Sequence, residues 1–410
     1  MLKNKYFSTS LGLYMNYFVQ GIQAIIISQN INNFAENWNT TTAGVMGVIA
    51  ATGIGKIIVL LFSGMLADKF GRKPIALIGM VGYICFFGGL ILCNNLTLAY
   101  VVAFTAGAAT SFLDGATYPA LMEIYPDRPS VASVIVKGFI AAGGVAPLFI
   151  SFLRTNNFWY GWSLVLPLAV VAVNFIFMMT AKFPDIKGKE VAKEEKAEEA
   201  KFSSKPKFYL EGIFLMAYAF FIFGTFYLWQ QTSTLYAVDI VGMSDVASSS
   251  LVTIYSLGSF IAVLLTSVIM SKGIKDITVM IVYGLVATLL LAMVYLIPSQ
   301  LTLTIGSFGV GFFAAGGVLQ IGNAMLSQFF PEGKGRNTSL YNVFMAGASY
   351  VVPVLVQTLM AGDFTRVMLL AVAFSTVCFV LALLIGMRYS KVFGAKIGNK
   401  FGKTADANSK

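Results

Sequence analysis

The chain has 410 residues, of which 57% are hydrophobic and 11% charged, with a formal net charge of +10 and no histidine. Soluble proteins carry about twice that share of charged residues, so the excess apolar surface has to face lipid, and a soluble enzyme is excluded. Nor is the positive charge a nucleic-acid signal, because the basic residues fall in the loops between apolar runs.

The runs are continuous, which predicts membrane-spanning helices. Lipid offers backbone groups no partners, and a β-barrel would show alternation instead. About twelve runs reach the roughly 20 residues that cross a bilayer. They lie near 10–32, 42–66, 74–93, 97–122, 131–153 and 159–181, then 208–237, 246–270, 277–297, 301–328, 337–360 and 365–387. The start, Met1 to Lys5, is short and basic, and the first run is too long for a cleaved leader, so no signal peptide is expected.

In the first span Asn16, Gln20 and Gln23 share a face at i, i+4 and i+7. The second span carries Lys56 near its middle, with Thr52 one turn away; Gly53-Ile54-Gly55-Lys56 lacks the spacing of a phosphate-binding loop. The loop that follows is Gly64-Met65-Leu66-Ala67-Asp68-Lys69-Phe70-Gly71-Arg72-Lys73, closed by Pro74. It packs an acid, three basic residues and a turn-forming glycine into a few positions. Cys85, Cys93 and Cys378 lie in or beside apolar runs without metal-ligand spacing and read as small packing residues.

Asp114 lies deep in the fourth span, on a face with Thr110, Thr117 and Tyr118. An ionised carboxylate there costs several kcal/mol unless paired or hydrated, so it contacts substrate, carries a proton or sits in a static ion pair. With no imidazole in the chain, a proton-coupled mechanism needs a carboxylate. Lys56 and Lys137, the latter about two turns into the fifth span, are candidate partners of Asp114. Two cations against one acid leave a surplus positive charge, which favours an anionic substrate. Lys137 has a competing reading, snorkelling to the interface. The fifth span continues as Gly138-Phe139-Ile140-Ala141-Ala142-Gly143-Gly144-Val145-Ala146-Pro147, a pattern for close packing and a kink.

The stretch 182–207 is polar and mixes charge signs, which predicts a solvated helix or flexible linker between two halves of six spans. In the seventh span Tyr227, Gln230, Gln231 and Thr234, beside Trp229, line one face; Gln320 and Asn323 lie in the tenth span and Asn342 in the eleventh. Polar side chains in such helices turn inward, to line a cavity or to bond helix to helix. The halves echo one another. Leu121-Met122-Glu123-Ile124-Tyr125-Pro126-Asp127 closes the fourth span, and Leu326-Ser327-Gln328-Phe329-Phe330-Pro331-Glu332 closes the tenth. Lysine and arginine concentrate in alternate loops, with only Arg154 and Arg366 in the others. That asymmetry places both termini in the cytoplasm.

The Gly64–Lys73 segment resembles the signature between the second and third helices of the major facilitator superfamily: Gly, three residues, Asp, a basic residue, any residue, Gly, then a basic pair. The corresponding loop of the second half departs from it, with Ser267 and Ser271 at the Gly and Asp positions. The resemblance implies an all-α polytopic membrane protein of 12 transmembrane helices, in two six-helix bundles related by pseudo-two-fold symmetry. The expected domains are 1–181, a linker 182–207, a second bundle 208–390 and a tail 391–410.

The resemblance also implies a gate latch made of Gly64, Asp68, Gly71, Arg72, Lys73 and Glu123. Asp68 would face the positive end of the eleventh helix, and Arg72 would pair with Glu123 or Asp127. A topogenic loop with a tight turn is the alternative. The fourth, first, seventh and tenth helices would line the central cavity. The expected function is secondary active transport by alternating access, with proton-coupled symport of a small polar solute, an organic acid or sugar-like compound, through Asp114. Proton-coupled efflux of drugs or metabolites is the runner-up, although the fifth span lacks the Gly-Pro pair of antiporters. A non-transporting sensor ranks last. No cofactor, metal or nucleic-acid partner is expected of this monomer in a plasma or inner membrane, and no nucleophile–base constellation suggests an enzyme.

Overall fold

The computed structural model describes residues 4–126, 129–184, 203–330, 334–360 and 364–394. Asp127, Arg128 and Glu332, together with 185–202 of the linker and 395–410 of the tail, lie outside the described residues. Twelve helical stretches there are long and apolar enough to cross a membrane: Phe7–Gln29, Thr42–Phe70, Arg72–Leu92, Leu96–Ile124, Ile135–Thr155 and Trp162–Thr180 in the first half. Phe208–Asp239, Asp245–Met270, Asp276–Leu296, Gln300–Phe329, Asn337–Met360 and Thr365–Phe393 make up the second. We call the side on which the first span begins the near side and the other the far side.

Helix ends are set by local chemistry. On the far side Thr41, Asn95, Ser244 and Ser299 cap the second, fourth, eighth and tenth spans, each side chain accepting a hydrogen bond from a first-turn N–H. On the near side Gly71 takes φ +96°, a conformation open to glycine, and turns the chain sharply from the second span into Arg72. Within the second half, Glu211 is fully buried and accepts from Arg388 at the end of the twelfth span. Ser203 N–H donates to Val392 C=O at 2.7 Å, which fastens the linker's end to the same helix.

Two glycine crossings bring the helices of each half to backbone contact. A Cβ on Gly107 would collide with the Thr52 carbonyl and Lys56 N–H, and one on Gly55 with the Phe104 carbonyl. In the second half Gly258 meets the Phe308 carbonyl and Gly311 the Tyr255 carbonyl. Gly55 and Gly258 each lie 13 residues beyond the first residue of their helices, Thr42 and Asp245. Gly107 and Gly311 each lie 11 beyond theirs, Leu96 and Gln300. The same crossing is thus built twice, which is the pseudo-symmetry expressed in packing.

The fifth span, where the Gly/Pro pattern predicts a kink, and the tenth, expected as a continuous helix, are both interrupted. The fifth consists of Pro129–Gly143 and Ala146–Thr155. Pro147 has no N–H for the Gly143 carbonyl, and Gly143 itself sits against Gly21 and the Phe18 carbonyl. The freed Gly144 carbonyl accepts from Thr253 Oγ1 of the eighth span at 3.1 Å. The tenth runs as Gln300–Gly309, a π-helical turn Val310–Ala315, and Val318–Phe329 after Gly317 at φ +88°. Such irregular backbone is tolerated at membrane depth because it is buried in protein.

The glycine crossings generate a test. Gly107→Ala and Gly311→Ala force adjacent backbones apart, and each should cost about 1–3 kcal/mol of stability. Thermal denaturation in detergent should show a lowered midpoint for both, with no comparable loss for Gly88→Ala, where a Cβ would meet open space.

Candidate functional site

A cavity lies where the two halves meet. It is lined by Gln20, Gln23, Ala24 and Ile27 of the first span, Ile49, Thr52 and Lys56 of the second, Gly107 and Thr110 of the fourth, Tyr227 and Gln231 of the seventh and Ser349 of the eleventh. Water centres can occupy about 80 Å³ of it. The Gly55–Gly107 crossing delivers Lys56 to this position, and Ser111 Oγ holds the Lys56 carbonyl at 2.8 Å. Lys56 Nζ stands 5.3 Å from the centroid of the Phe223 ring. A cation over a ring gains about 0.5–2 kcal/mol, far less than a full counter-charge would supply.

Asp114 lies one turn nearer the near side than Thr110. Its Oδ1 accepts from Tyr17 Oη of the first span at 2.8 Å. Lys56 and Lys137 are both within Coulombic reach. Among the described residues, however, neither comes within the 4.0 Å of an ion pair with Asp114. Lys137 instead reaches across the halves. With the Gln320 amide turned so that both its groups are satisfied, its oxygen accepts from Lys137 Nζ at 3.2 Å and its nitrogen donates to the Gly317 carbonyl at 3.2 Å. The break in the tenth span and the lysine of the fifth are thereby joined, and Lys137 points inward rather than to the interface.

Of the polar residues proposed from sequence, Gln20, Gln23, Lys56, Tyr227 and Gln231 meet in this cavity, and Asp114, Lys137 and Gln320 form a charged group beside it. The others lie elsewhere. Asn16 is fully buried and accepts from Asn174 Nδ2 of the sixth span at 2.8 Å, a bond between helices. Trp229 is fully buried against Gly306 of the tenth span. Asn323 accepts from Thr338 Oγ1 at 3.2 Å, tying the tenth span to the eleventh. Gln230 and Asn342 are partly buried and do not line the cavity. Tyr17, the hydrogen-bond donor to Asp114, was not singled out from sequence. It is one of 18 tyrosines, and its partner is 97 residues away.

The loop Gly64–Lys73 forms a compact ionic cluster within the first half. Arg72 joins Asp68 at 2.5 Å and Glu123 at 3.1 Å. Lys73 Nζ donates to the Met179 and Ala181 carbonyls at 2.7 and 3.0 Å, where a cation suits the end of the sixth helix. Asp68 is 68% exposed and, among the described residues, pairs with Arg72 and not with the eleventh span.

Among the described residues, the polar and close-packed contacts between the halves lie at the middle and the far side. Gln231 Nε2 donates to the Ala24 carbonyl at 2.7 Å, and Gln29 Nε2 to Thr234 Oγ1 at 3.1 Å, closing the first span on the seventh. Gly53 packs on the Ser349–Tyr350 backbone and Gly47 on Gln357, closing the second span on the eleventh. Arg154 pairs with Asp245 at 3.0 Å and donates to the Gln29 carbonyl at 3.0 Å, closing the fifth on the eighth. Sequence did carry a signal for this residue. Arg154 is one of two basic residues against the charge asymmetry of the loops.

Two predictions follow from this geometry. Asp68→Asn should slow turnover while leaving equilibrium ligand binding nearly unchanged; normal turnover by a transport assay would remove the latch role. Asp245→Asn removes a partly exposed ion pair worth up to about 1 kcal/mol, so far-side opening should rise up to about fivefold. In a background without the native cysteines, Thr234→Cys should then react faster with an impermeant maleimide added from the far side. An unchanged rate would mean that the pair does not hold the closure.

Known proteins share this architecture. The family model of the Major Facilitator Superfamily matches residues 7–353. The chain is 35% identical over 394 residues to the inner membrane transport protein YdiM of Escherichia coli K12, covering 95% of this chain and 96% of that protein. It is 34% identical over 399 residues to YdiN, another inner membrane transport protein of the same organism, covering 96% and 94%. Among solved structures, a D-xylose–proton symporter superposes with a TM-score of 0.73 at 13% identity, covering 93% of this chain and 97% of that one. That likeness is one of fold.

Proposed function

The chain belongs to the major facilitator superfamily, a multi-pass membrane transporter and not an enzyme, and on that premise we propose that it is a proton-coupled symporter of a small polar organic solute. The observation that carries this reading is Asp114, a carboxylate inside the fourth span that is held by Tyr17 and has two lysines nearby but, among the described residues, no ion pair. A carboxyl in that position takes up and releases a proton without first breaking a salt bridge. It adjoins a cavity walled by amides and hydroxyls from both halves, which suits a polar ligand.

In this reading the bundles 1–181 and 208–390 rock about the cavity, with 182–207 as the linker. The near side is cytoplasmic, as the loop charges suggest, in a cell membrane like that of the E. coli relatives. The far-side contacts and the exposed Asp68 are those of a cavity closed to the outside. When the far side opens, Asp68 moves against the eleventh span and Arg72 keeps Glu123. Loading of substrate and proton together favours the exchange, because the protonated carboxyl removes one buried charge during the movement.

The test is transport in proteoliposomes with an imposed pH gradient, using a panel of small organic acids, sugars and lipophilic cations. Asp114→Asn should abolish gradient-driven accumulation and leave exchange of bound substrate intact. Driven accumulation at the wild-type rate would refute coupling through Asp114. Movement of lipophilic cations against the proton flow would instead assign efflux. Lys56→Gln should weaken anions by about tenfold more than neutral solutes, as expected for the loss of a charge-assisted hydrogen bond; equal losses would make Lys56 structural.

A further inference from the structure

The cavity wall is unbalanced in hydrogen-bonding character. Gln231 is 4% exposed, and its orientation is fixed because Nε2 donates to the Ala24 carbonyl. Its Oε1 is therefore the remaining group, and it is buried with no hydrogen bond. The hydroxyl of Tyr227 lies within hydrogen-bonding reach of the Gln231 and Thr52 side chains, but no bond of good geometry closes on that oxygen. Thr52 directs its proton to the Ile49 carbonyl at 2.7 Å, leaving its oxygen as an acceptor, whereas Thr110 Oγ1 donates to the Ala106 carbonyl and is already bonded to Tyr83 Oη at 3.0 Å. Against these acceptors stands one cation, Lys56, with no ion pair among the described residues. Counting Lys137 and Asp114 beside it, the group carries at least one excess positive charge, one with Asp114 ionised and two once it is protonated.

We infer that the substrate is a small hydroxylated monocarboxylate, with its carboxylate at Lys56 and its hydroxyls donating to Gln231 Oε1 and Thr52 Oγ1. This rests on the cavity being the transport site proposed above. A neutral polyol satisfies the acceptors but leaves the excess charge. An alkyl carboxylate satisfies the charge but buries Gln231 Oε1 unpaired. A dicarboxylate sets a second carboxylate, itself an acceptor, against the unpaired Gln231 oxygen, and a lipophilic cation meets Lys56. The cavity, about 80 Å³, is several times what a single water needs and is small. It suits a small solute rather than a bulky one.

The experiment compares D-glycerate, propionate and glycerol, which share a three-carbon frame and differ in these groups. Binding to the purified full-length protein in detergent is measured by calorimetry. Glycerate should bind at least about tenfold more tightly than either of the others, since a site built for a hydroxyl discriminates strongly against its absence. Gln231→Leu should bring the glycerate-to-propionate ratio close to one while keeping the preference over glycerol. Lys56→Gln should do the reverse. Reading ratios rather than affinities separates these roles from the cross-half bond that Gln231 also makes.

Propionate within about threefold of glycerate would overturn the role of the hydroxyl donors, and glycerol within about threefold would overturn that of the cation. If none of the three binds but another solute of the transport panel does, the substrate class is wrong and the transporter reading stands. If no solute binds or moves, both fall.

Discussion

A backbone inside a lipid bilayer has no water to bond with, and every peptide group must find its partner within the protein. This constraint makes the chain helical from span to span. It also explains where helicity is given up. The fifth span breaks at Gly143–Val145, and the Gly144 carbonyl is taken by Thr253 across the interface. The tenth breaks at Gly316–Gly317, and the Gly317 carbonyl lies within reach of Gln320. Both interruptions lie where the halves meet, so loss of the regular ladder is offset by contacts that a sliding interface can exchange.

The same medium decides where charge sits. Lys56, Asp114 and Lys137 come from three different spans of the first half, yet they share one neighbourhood. None is locked to another within ion-pair distance. A tight buried pair would be stable and inert. Three charges without a tight partner among themselves, in contact with Tyr17, Phe223 and Gln320, are consistent with the ligand and proton sites proposed above. The ends of the molecule behave differently. Arg72 with Asp68 and Glu123, and Arg154 with Asp245, are partly solvated pairs of modest strength. Weak pairs at the two ends suit the opening and closing proposed for this transporter.

Much of this was legible in the chain. The number of spans, the two halves and the ionic loop Gly64–Lys73 follow from apolar run length, loop charge and one dense motif, all local properties. Gln20, Gln23, Lys56, Tyr227 and Gln231 were legible as cavity residues because polar side chains in lipid turn inward. Asn16, Trp229 and Asn323 obey the same rule but find their partners in adjacent helices of their own half. Periodicity places a side chain on a face and does not say what stands opposite. The interruption at Gly317 was hidden for a related reason, since glycine pairs in such spans serve equally as packing surfaces.

By itself, the sequence determined that this is a helical membrane protein of twelve spans in two halves, because hydropathy and charge act along the chain against a solvent that is the same at every position. Only the tertiary structure decided which half-buried groups face each other. It set Tyr17 against Asp114, Lys137 against Gln320 and Arg154 against Asp245, and it left the Gln231 oxygen facing the cavity wall without a partner. Those pairings depend on how closely helices cross, which glycines such as Gly55 and Gly107 permit but cannot aim. The aim comes from packing all twelve helices at once, and no local stretch of sequence contains it.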